Sequence, residues 1–269
     1  MKARKRIEEI LWCASIVSDV VRESVESVTL ADIGADHGWV SFYALKRGIA
    51  DKCILSDISA SSLEKARGIF ALNPDMENQV KFLVGDGFEP FLNEKRVDIA
   101  VIAGLGGAEI LKIIGENAKN APENSIFVLQ ARHDEDFVKV LKKYAGLEVF
   151  FDRVIFDHGH VYRTIVAGHF ANSTGQRAVL CDKLRHVFEN PDTKKFLGLD
   201  IDFEIFGVHN LLSNAPEHVL ALEFLRGKYR GIRLSLEKNA SSDDDIVAYV
   251  KKLGLFEKYL DTILKFVKK

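Results

Sequence analysis

Short apolar runs alternate along the first two-thirds of the chain with segments whose apolar residues recur every three or four positions. The short runs fall at 28–33, 53–56, 80–84, 97–102 and 125–129 and read as strands, the one holding Cys53 as buried. Between them lie helical patterns. Trp39, Val40, Phe42, Tyr43 and Leu45 repeat at helical spacing before Lys46-Arg47-Gly48, where cations and a glycine close a helix. Ser59 to Ser62 offer caps for a helix that Asn73-Pro74 stops, and further helices are predicted at 108–117 and 134–144. A helix at 4–23 precedes the first strand, with Ile7, Ile10, Leu11, Ala14, Val17 and Val21 on one face. The alternation ends in two runs, 147–156 and 160–167, joined around Asp157-His158-Gly159. Five strands alternating with helices and closed by a hairpin predict an α/β fold, a doubly wound parallel sheet with one antiparallel strand.

Beyond Gly168 the texture changes. Asn172-Ser173-Thr174-Gly175 reads as a polar linker, and helical patterns follow at 176–189, 216–239 and 243–267. Ala221, Leu222, Leu225, Tyr229, Ile232 and Leu236 keep a spacing of three or four, as do Ile246, Tyr249, Val250, Leu253, Phe256, Leu260, Ile263 and Leu264. Ser241-Ser242-Asp243 between them is a cap signal. Two facing apolar stripes predict an antiparallel, coiled-coil-like helical hairpin. The chain therefore divides into a sheet domain at 1–172 and a helical domain at 173–269, with no internal repeat or low-complexity run.

Composition narrows the class. Hydrophobic residues make up 47% and charged residues 28%, which is ordinary for a soluble globular protein. The net charge of −2 argues against a broad nucleic-acid-binding surface. Residues 176–269 carry a small excess of cations and the rest a small excess of acids, so any grip on RNA must come from local patches. No apolar run approaches the roughly 20 residues that span a bilayer, so no membrane partner is expected. Glu8, Glu9 and Asp19 interrupt the segment after the basic start, which suits an amphipathic helix better than a secretory leader. Cys13, Cys53 and Cys181 have no paired spacing and point to neither disulfides nor zinc. A cytoplasmic monomer that needs no metal is expected.

The stretch 29–57 carries the candidate chemistry. A strand ends in Asp32-Ile33-Gly34, a turn runs through Ala35-Asp36-His37-Gly38, a helix follows, and a second strand ends at Asp57. This is the first half of a nucleotide-binding βαβ unit, with an acid placed to accept both ribose hydroxyls. The glycine pattern is not that of a dinucleotide site. Asp36 stands where pyrophosphate would lie and would repel it, which favours a nucleoside ligand without phosphates. S-adenosylmethionine fits. Asp86, in Gly85-Asp86-Gly87 after the third strand, is placed to accept from an adenine amino group; the bland alternative is a plain Asx turn. Asp32, Gly34, Asp36, His37, Asp57, Ile58, Gly85, Asp86, Gly87, Ala103 and Gly104 are thus the candidate cofactor residues.

The fourth strand ends in Ala103-Gly104-Leu105-Gly106-Gly107, which offers backbone and space but no side-chain base. That suits a nucleophile needing no deprotonation, such as adenine N1, with catalysis resting on alignment. Such a base must be unpaired or flipped, because N1 lies on its pairing edge. Asp36, His37, Gly104, Gly106 and Gln130 are the candidate catalytic residues. Asp36 would stabilise the developing cationic ring, with carbonyls of 104–106 as the alternative. His37 either faces the transfer site or only caps its helix. Trp39 either stacks on a base or belongs to the core. His158 and His160 flank a hairpin with no third metal ligand in view.

Four segments together resemble the bacterial tRNA adenine-N1-methyltransferases that modify position 22 of tRNA, the TrmK family. They are Ala31-Asp32-Ile33-Gly34-Ala35-Asp36-His37, Ile102-Ala103-Gly104-Leu105-Gly106-Gly107, Leu129-Gln130, and Val161-Tyr162-Arg163-Thr164-Ile165-Val166-Ala167. The resemblance implies a class I methyltransferase (Rossmann-like) sheet followed by a helical, coiled-coil-like domain, S-adenosylmethionine as methyl donor, and tRNA as partner. Two departures stand out. The family usually reads Leu-Gln-Pro-Asn where this chain has Leu129-Gln130-Ala131-Arg132, and often has Glu where this chain has Asp57. Arg132 is the candidate substrate contact there. The basic run Arg226, Lys228, Arg230 and Arg233 is either a solvated face or a contact for the tRNA backbone.

Overall fold

The computed structural model describes residues 4–116, 125–133, 137–145, 147–168, 175–189, 215–238 and 243–268. Helix Lys5–Arg22 (α1) leads into strand Thr29–Ile33 (β1). There follow Trp39–Lys46 (α2), Lys52–Asp57 (β2), Ala60–Ala71 (α3), Val80–Val84 (β3), Ile99–Ala103 (β4), Gly107–Glu116 (α4), Ile126–Arg132 (β5) and Phe137–Ala145 (α5). Strands Glu148–Asp157 (β6) and His160–Gly168 (β7) form the terminal hairpin, and Gln176–Phe188 (α6), Pro216–Lys238 (α7) and Asp244–Val267 (α8) complete the chain. Two 3-10 turns that periodicity does not predict, Pro74–Gln79 and Glu89–Phe91, each begin at or next to a proline. The expected linker lies outside the described residues apart from Gly175, as do Ser241 and Ser242.

The seven strands form one sheet in the order β3-β2-β1-β4-β5-β7-β6, parallel from β3 to β5 and antiparallel from β5 to β6. Alternate strand residues bury opposite faces. Leu30, Leu55, Val101 and Val128 pack under α1, α2, α3 and α6, whereas Ala31, Ile54, Ile102 and Leu129 pack under α4 and α5. Burial on both sides explains why the strands read as unbroken apolar runs. Strand order reverses between β1 and β4, and ligands of open α/β sheets bind at the carboxyl ends of the strands beside such a switch.

β5 runs further than the expected 125–129. Ala131 pairs with Arg163 and Arg132 with Tyr162, so the segment expected as a loop is still strand. Alanine at 131 keeps an N–H that proline would lack, which allows the ladder to continue. Arg163, with no solvent exposure, forms a two-point ion pair with Asp152 (2.7 and 2.6 Å).

Helix α6 lies beyond the expected boundary at 172 yet buries Cys181, Leu184 and Phe188 in the core of the sheet domain. Helices α7 and α8 form the expected hairpin, and their stripe also covers Val154 and Val161 of the last two strands. His218 Nδ1 lies 2.9 Å from the Val154 carbonyl, and His133 Nε2 lies 3.2 Å from the Tyr229 hydroxyl. Burial holds the His133 imidazole well below its ordinary pKa, with Arg163 and Lys228 adding to the effect.

Candidate active site

A cavity of about 990 Å³ opens at the carboxyl ends of β1 to β5. Its floor is the β1–α2 loop, which the sequence builds from backbone exceptions. Gly38 starts α2 at φ +69, and a Cβ there would lie 2.7 Å from Leu55 Cδ2 and 3.0 Å from Ala66 Cβ. Only glycine lets the loop pass this close to β2 and α3. Asp36 takes φ +46, a left-handed conformation that aspartate tolerates better than most residues. The loop is pinned to the next strand by Gly34 and Ala35 N–H groups donating to the Ser56 carbonyl (2.9 and 3.0 Å).

Asp57 is held at the end of β2 by its surroundings. Its Oδ2 accepts from the Asp36 amide (3.1 Å) and its Oδ1 from the Ser59 amide (2.8 Å), which fixes the carboxylate while leaving lone pairs for a ligand. Ile58 beside it is exposed and also lines the cavity. Gly85, Asp86 and Gly87 line the cavity at the end of β3, and a Cβ on Gly85 would meet Pro90 at 2.9 Å. Ribose and adenine groups of a nucleoside can therefore be met from adjacent strands.

Asp32 has a different role from Asp57. It is buried at 4% exposure, and its Oδ2 accepts from Ser41 Oγ (2.9 Å) and the Ser41 amide (3.3 Å), which ties β1 to α2. Burial pushes its pKa up to about 7, opposed by the Ser41 hydrogen bonds and helped by the nearby charge of Asp57. Asp36 and His37 stand exposed at the rim, with His37 Nδ1 2.5 Å from Asp36 Oδ2 and Lys65 Nζ 4.0 Å from Asp36 Oδ1. Trp39 is half-buried and lines the cavity while packing against Phe42 and Tyr43.

At the end of β4, Ala103 and Gly104 line the cavity, and Gly104 takes φ +82. Gly106 is not among the lining residues; its N–H donates to Glu109 Oε2 (2.9 Å) and starts α4. Gln130 lines the cavity but has no exposed surface. Its Nε2 donates to the Arg6 carbonyl (3.0 Å) and to Thr164 Oγ1 (2.9 Å), and its Oε1 has no hydrogen-bond partner among the described residues. Arg132 is exposed one turn of the ladder further on and does not line the cavity.

The basic run on α7 separates into two pairs. Arg226 donates to Asp261 (3.0 Å), and Arg233 forms ion pairs with Glu257 and Glu237. Lys228 and Arg230 are exposed and are not among the residues that line the cavity. The cavity also has a wall formed by Arg4, Arg6, Ile7 and Ile10 at the start of α1, a basic helix head that by sequence reads as either a phosphate contact or a solvated end. The signal for it was the cluster of cations at a helix N-terminus, where the helix dipole disfavours them. Among the described residues no cluster of His, Cys, Asp and Glu could hold a metal ion, and no helix is long and apolar enough to cross a membrane.

The family model described as a methyltransferase domain matches residues 15–165, from α1 through β7. The chain belongs to that methyltransferase family. The B. subtilis m1A22 tRNA methyltransferase TrmK has a similar structure, with a TM-score of 0.67 over 98% of this chain and 99% of that one at 17% identity. M. capricolum TrmK in complex with S-adenosylhomocysteine superposes with a TM-score of 0.65 over 92% of this chain and 97% of that one, also at 17% identity. At such identities the likeness establishes the fold, helical hairpin included. A Mycoplasma genitalium protein named for a proposed tRNA methyltransferase activity is 30% identical over 156 residues, 56% of this chain and 66% of its own length. The methyltransferase domain thus has relatives in sequence, and the fold extends past that shared region.

Proposed function

We propose that this methyltransferase moves a methyl group from S-adenosylmethionine to N1 of an adenine in tRNA, the adenine at position 22. The observation that carries the reading is the cavity itself. Asp57 and Asp86 sit at adjacent strand ends to receive a nucleoside, no side-chain base projects from the β4 loop, and Asp36 stands at the rim. The TrmK name of the structural neighbours and the name of the Mycoplasma relative support the substrate.

The donor supplies an electrophilic methyl on a sulfonium. Around it the chain binds and orients. Asp57, braced by two amides, fixes the ribose, and the compact β1–α2 loop sets the depth of the site. The new bond joins adenine N1 to the methyl carbon as the carbon–sulfur bond breaks, so positive charge passes from sulfur to the ring and no proton moves. Asp36, kept in place by His37 and Lys65, stabilises that ring charge. The hairpin of α7 and α8 positions the tRNA, with Lys228 and Arg230 as phosphate contacts on α7 and Arg132 as a contact nearer the site.

The test is to incubate the protein with labelled S-adenosylmethionine and unmodified total tRNA, then map the methylated nucleoside. Label in N1-methyladenosine at position 22 is expected. Label at another base, or in protein and none in RNA, overturns the reading.

A further inference from the structure

Glu109 stands in the first turn of α4 and lines the cavity together with Gly104 and Leu105. Its Oε2 accepts from the Gly106 amide (2.9 Å), which fixes the carboxylate against the end of the β4 loop. Its other oxygen has no hydrogen-bond or ion-pair partner among the described residues. The residue is exposed, which leaves room for a ligand to reach it. A glutamate that receives the amide just before its helix is half of a capping box, and that role accounts for one oxygen only. Gly106 has no side chain to supply the other half.

We propose that Glu109 is a catalytic residue that accepts a hydrogen bond from the exocyclic amino group of the target adenine. The inference rests on the methyl-transfer reading of the same site. Position supports it first. In that reading Asp57 and Asp86 seat the donor's nucleoside at β2 and β3, whereas α4 grows from β4, on the far side of β1. The acceptor base is thereby left the β4 side of the cavity, which Glu109 lines. Space supports it next. A cavity of about 990 Å³ lies at the upper end of the range for one small ligand, so a base fits beside the donor. The third support is charge. Asp36 shares its charge with His37 and Lys65, whereas the partner of Glu109 is a neutral amide.

The chemistry needs such a group. As the bond from N1 to the methyl carbon forms, the carbon–sulfur bond breaks and sulfur keeps the electron pair. The positive charge that reaches the ring spreads over N1 and the exocyclic nitrogen, as in an amidinium. The amino N–H becomes a stronger donor, and its hydrogen bond to a carboxylate strengthens as the new bond forms. An interaction stronger in the transition state than in the ground state raises the rate and not only the affinity. The same contact selects adenine, because guanine presents a carbonyl oxygen there, which a carboxylate repels.

The experiment measures single-turnover rates of wild type, Glu109→Gln and Glu109→Ala with S-adenosylmethionine saturating. The substrates are tRNA with adenosine at position 22 and the same tRNA with purine riboside there, which lacks the amino group. Glutamine keeps the cap on Gly106 and removes the charge. On the adenosine substrate Glu109→Gln slows the step by about tenfold and Glu109→Ala by about a hundredfold, with S-adenosylhomocysteine affinity unchanged. On the purine riboside substrate all three proteins react at one rate. Wild type also binds tRNA carrying N1-methyladenosine at position 22 more tightly than unmethylated tRNA, and Glu109→Gln loses that preference. A Glu109→Gln protein with the wild-type rate on adenosine overturns the proposal, whatever Glu109→Ala does, because Glu109 then only caps α4. So does a loss of S-adenosylhomocysteine affinity at an unchanged rate, which places Glu109 on the donor. A wild type that leaves position 22 unmethylated overturns the methyl-transfer reading instead.

Discussion

At the cavity, Asp57 commits both carboxylate oxygens to backbone amides and still faces open space, while Arg6 lines it with no acidic partner among the described residues. On the helical hairpin, Arg233 is clamped between Glu257 and Glu237, and Arg226 is paired with Asp261. Both regions are rich in charge, but the hairpin neutralises Arg226 and Arg233 internally and leaves only solvent-facing cations such as Lys228 and Arg230, whereas the cavity turns its open charges toward a concave site. The backbone differs in the same way. The cavity rim uses left-handed geometry at Asp36 and Gly104, whereas α7 and α8 are uninterrupted helices of 23 and 24 residues. A cluster of charges in a sequence therefore marks a site only where the fold denies it internal partners, and unusual backbone beside it strengthens the case.

The largest expected effect tests the division between these regions directly. A chain ending at Glu189 retains α6 and its core residues Cys181, Leu184 and Phe188. It should bind S-adenosylmethionine and lose tRNA methylation. Methylation at the full-length rate would remove the hairpin from substrate recognition.

The next effect concerns Asp32. Burial raises its folded pKa to about 7, above the ordinary aspartate value of 3.8. The folded state therefore keeps a proton that the unfolded chain releases, so stability should fall as pH rises from about 4 to 7 and level off above that. The contribution is on the order of 4 kcal/mol at most. Urea unfolding of wild type and Asp32→Asn across this range should show the wild-type decline relative to the variant; parallel curves would mean that Asp32 titrates normally.

Asp57→Ala should weaken S-adenosylmethionine binding by about 1.5–3 kcal/mol, the range for a hydrogen bond to a charged group. Calorimetry on the folded variant checks this, and unchanged affinity would take Asp57 out of the site. A smaller effect is expected at His37, which is exposed and bonded to Asp36. His37→Ala should slow the chemical step by about tenfold or less, and the wild-type single-turnover rate should stay nearly flat from about pH 6 to 9. A rate that climbs through about pH 6.5 and flattens in His37→Ala would make His37 a general base.

The smallest effect separates the hairpin's own cations. Arg226→Ala should cost at most about 1 kcal/mol of stability, as expected for a solvent-exposed ion pair. Arg230→Ala should leave stability within about 0.5 kcal/mol and reduce the salt dependence of tRNA binding. The reverse pattern would locate the phosphate contacts on the paired residues.

Much of this architecture follows from local pattern alone. Five strands, the turn at Gly34 to Gly38, the acids at Asp57 and Asp86, and the two long helices are each written in residues adjacent in the chain, because period, turn chemistry and capping act over a few positions. Two boundaries escaped that reading. β5 continues to Arg132 because its partner β7 supplies the ladder from 30 or more residues away, and α6 belongs to the sheet domain because its apolar face meets α1 and β6. What tertiary structure alone decided is which charges are left open. The link from Gln130 to Arg6 spans 124 positions, and that from Arg226 to Asp261 spans 35. Electrostatic pairing depends on distance in space, so a sequence lists the charged groups of this protein while only its fold determines which of them remain available to a ligand.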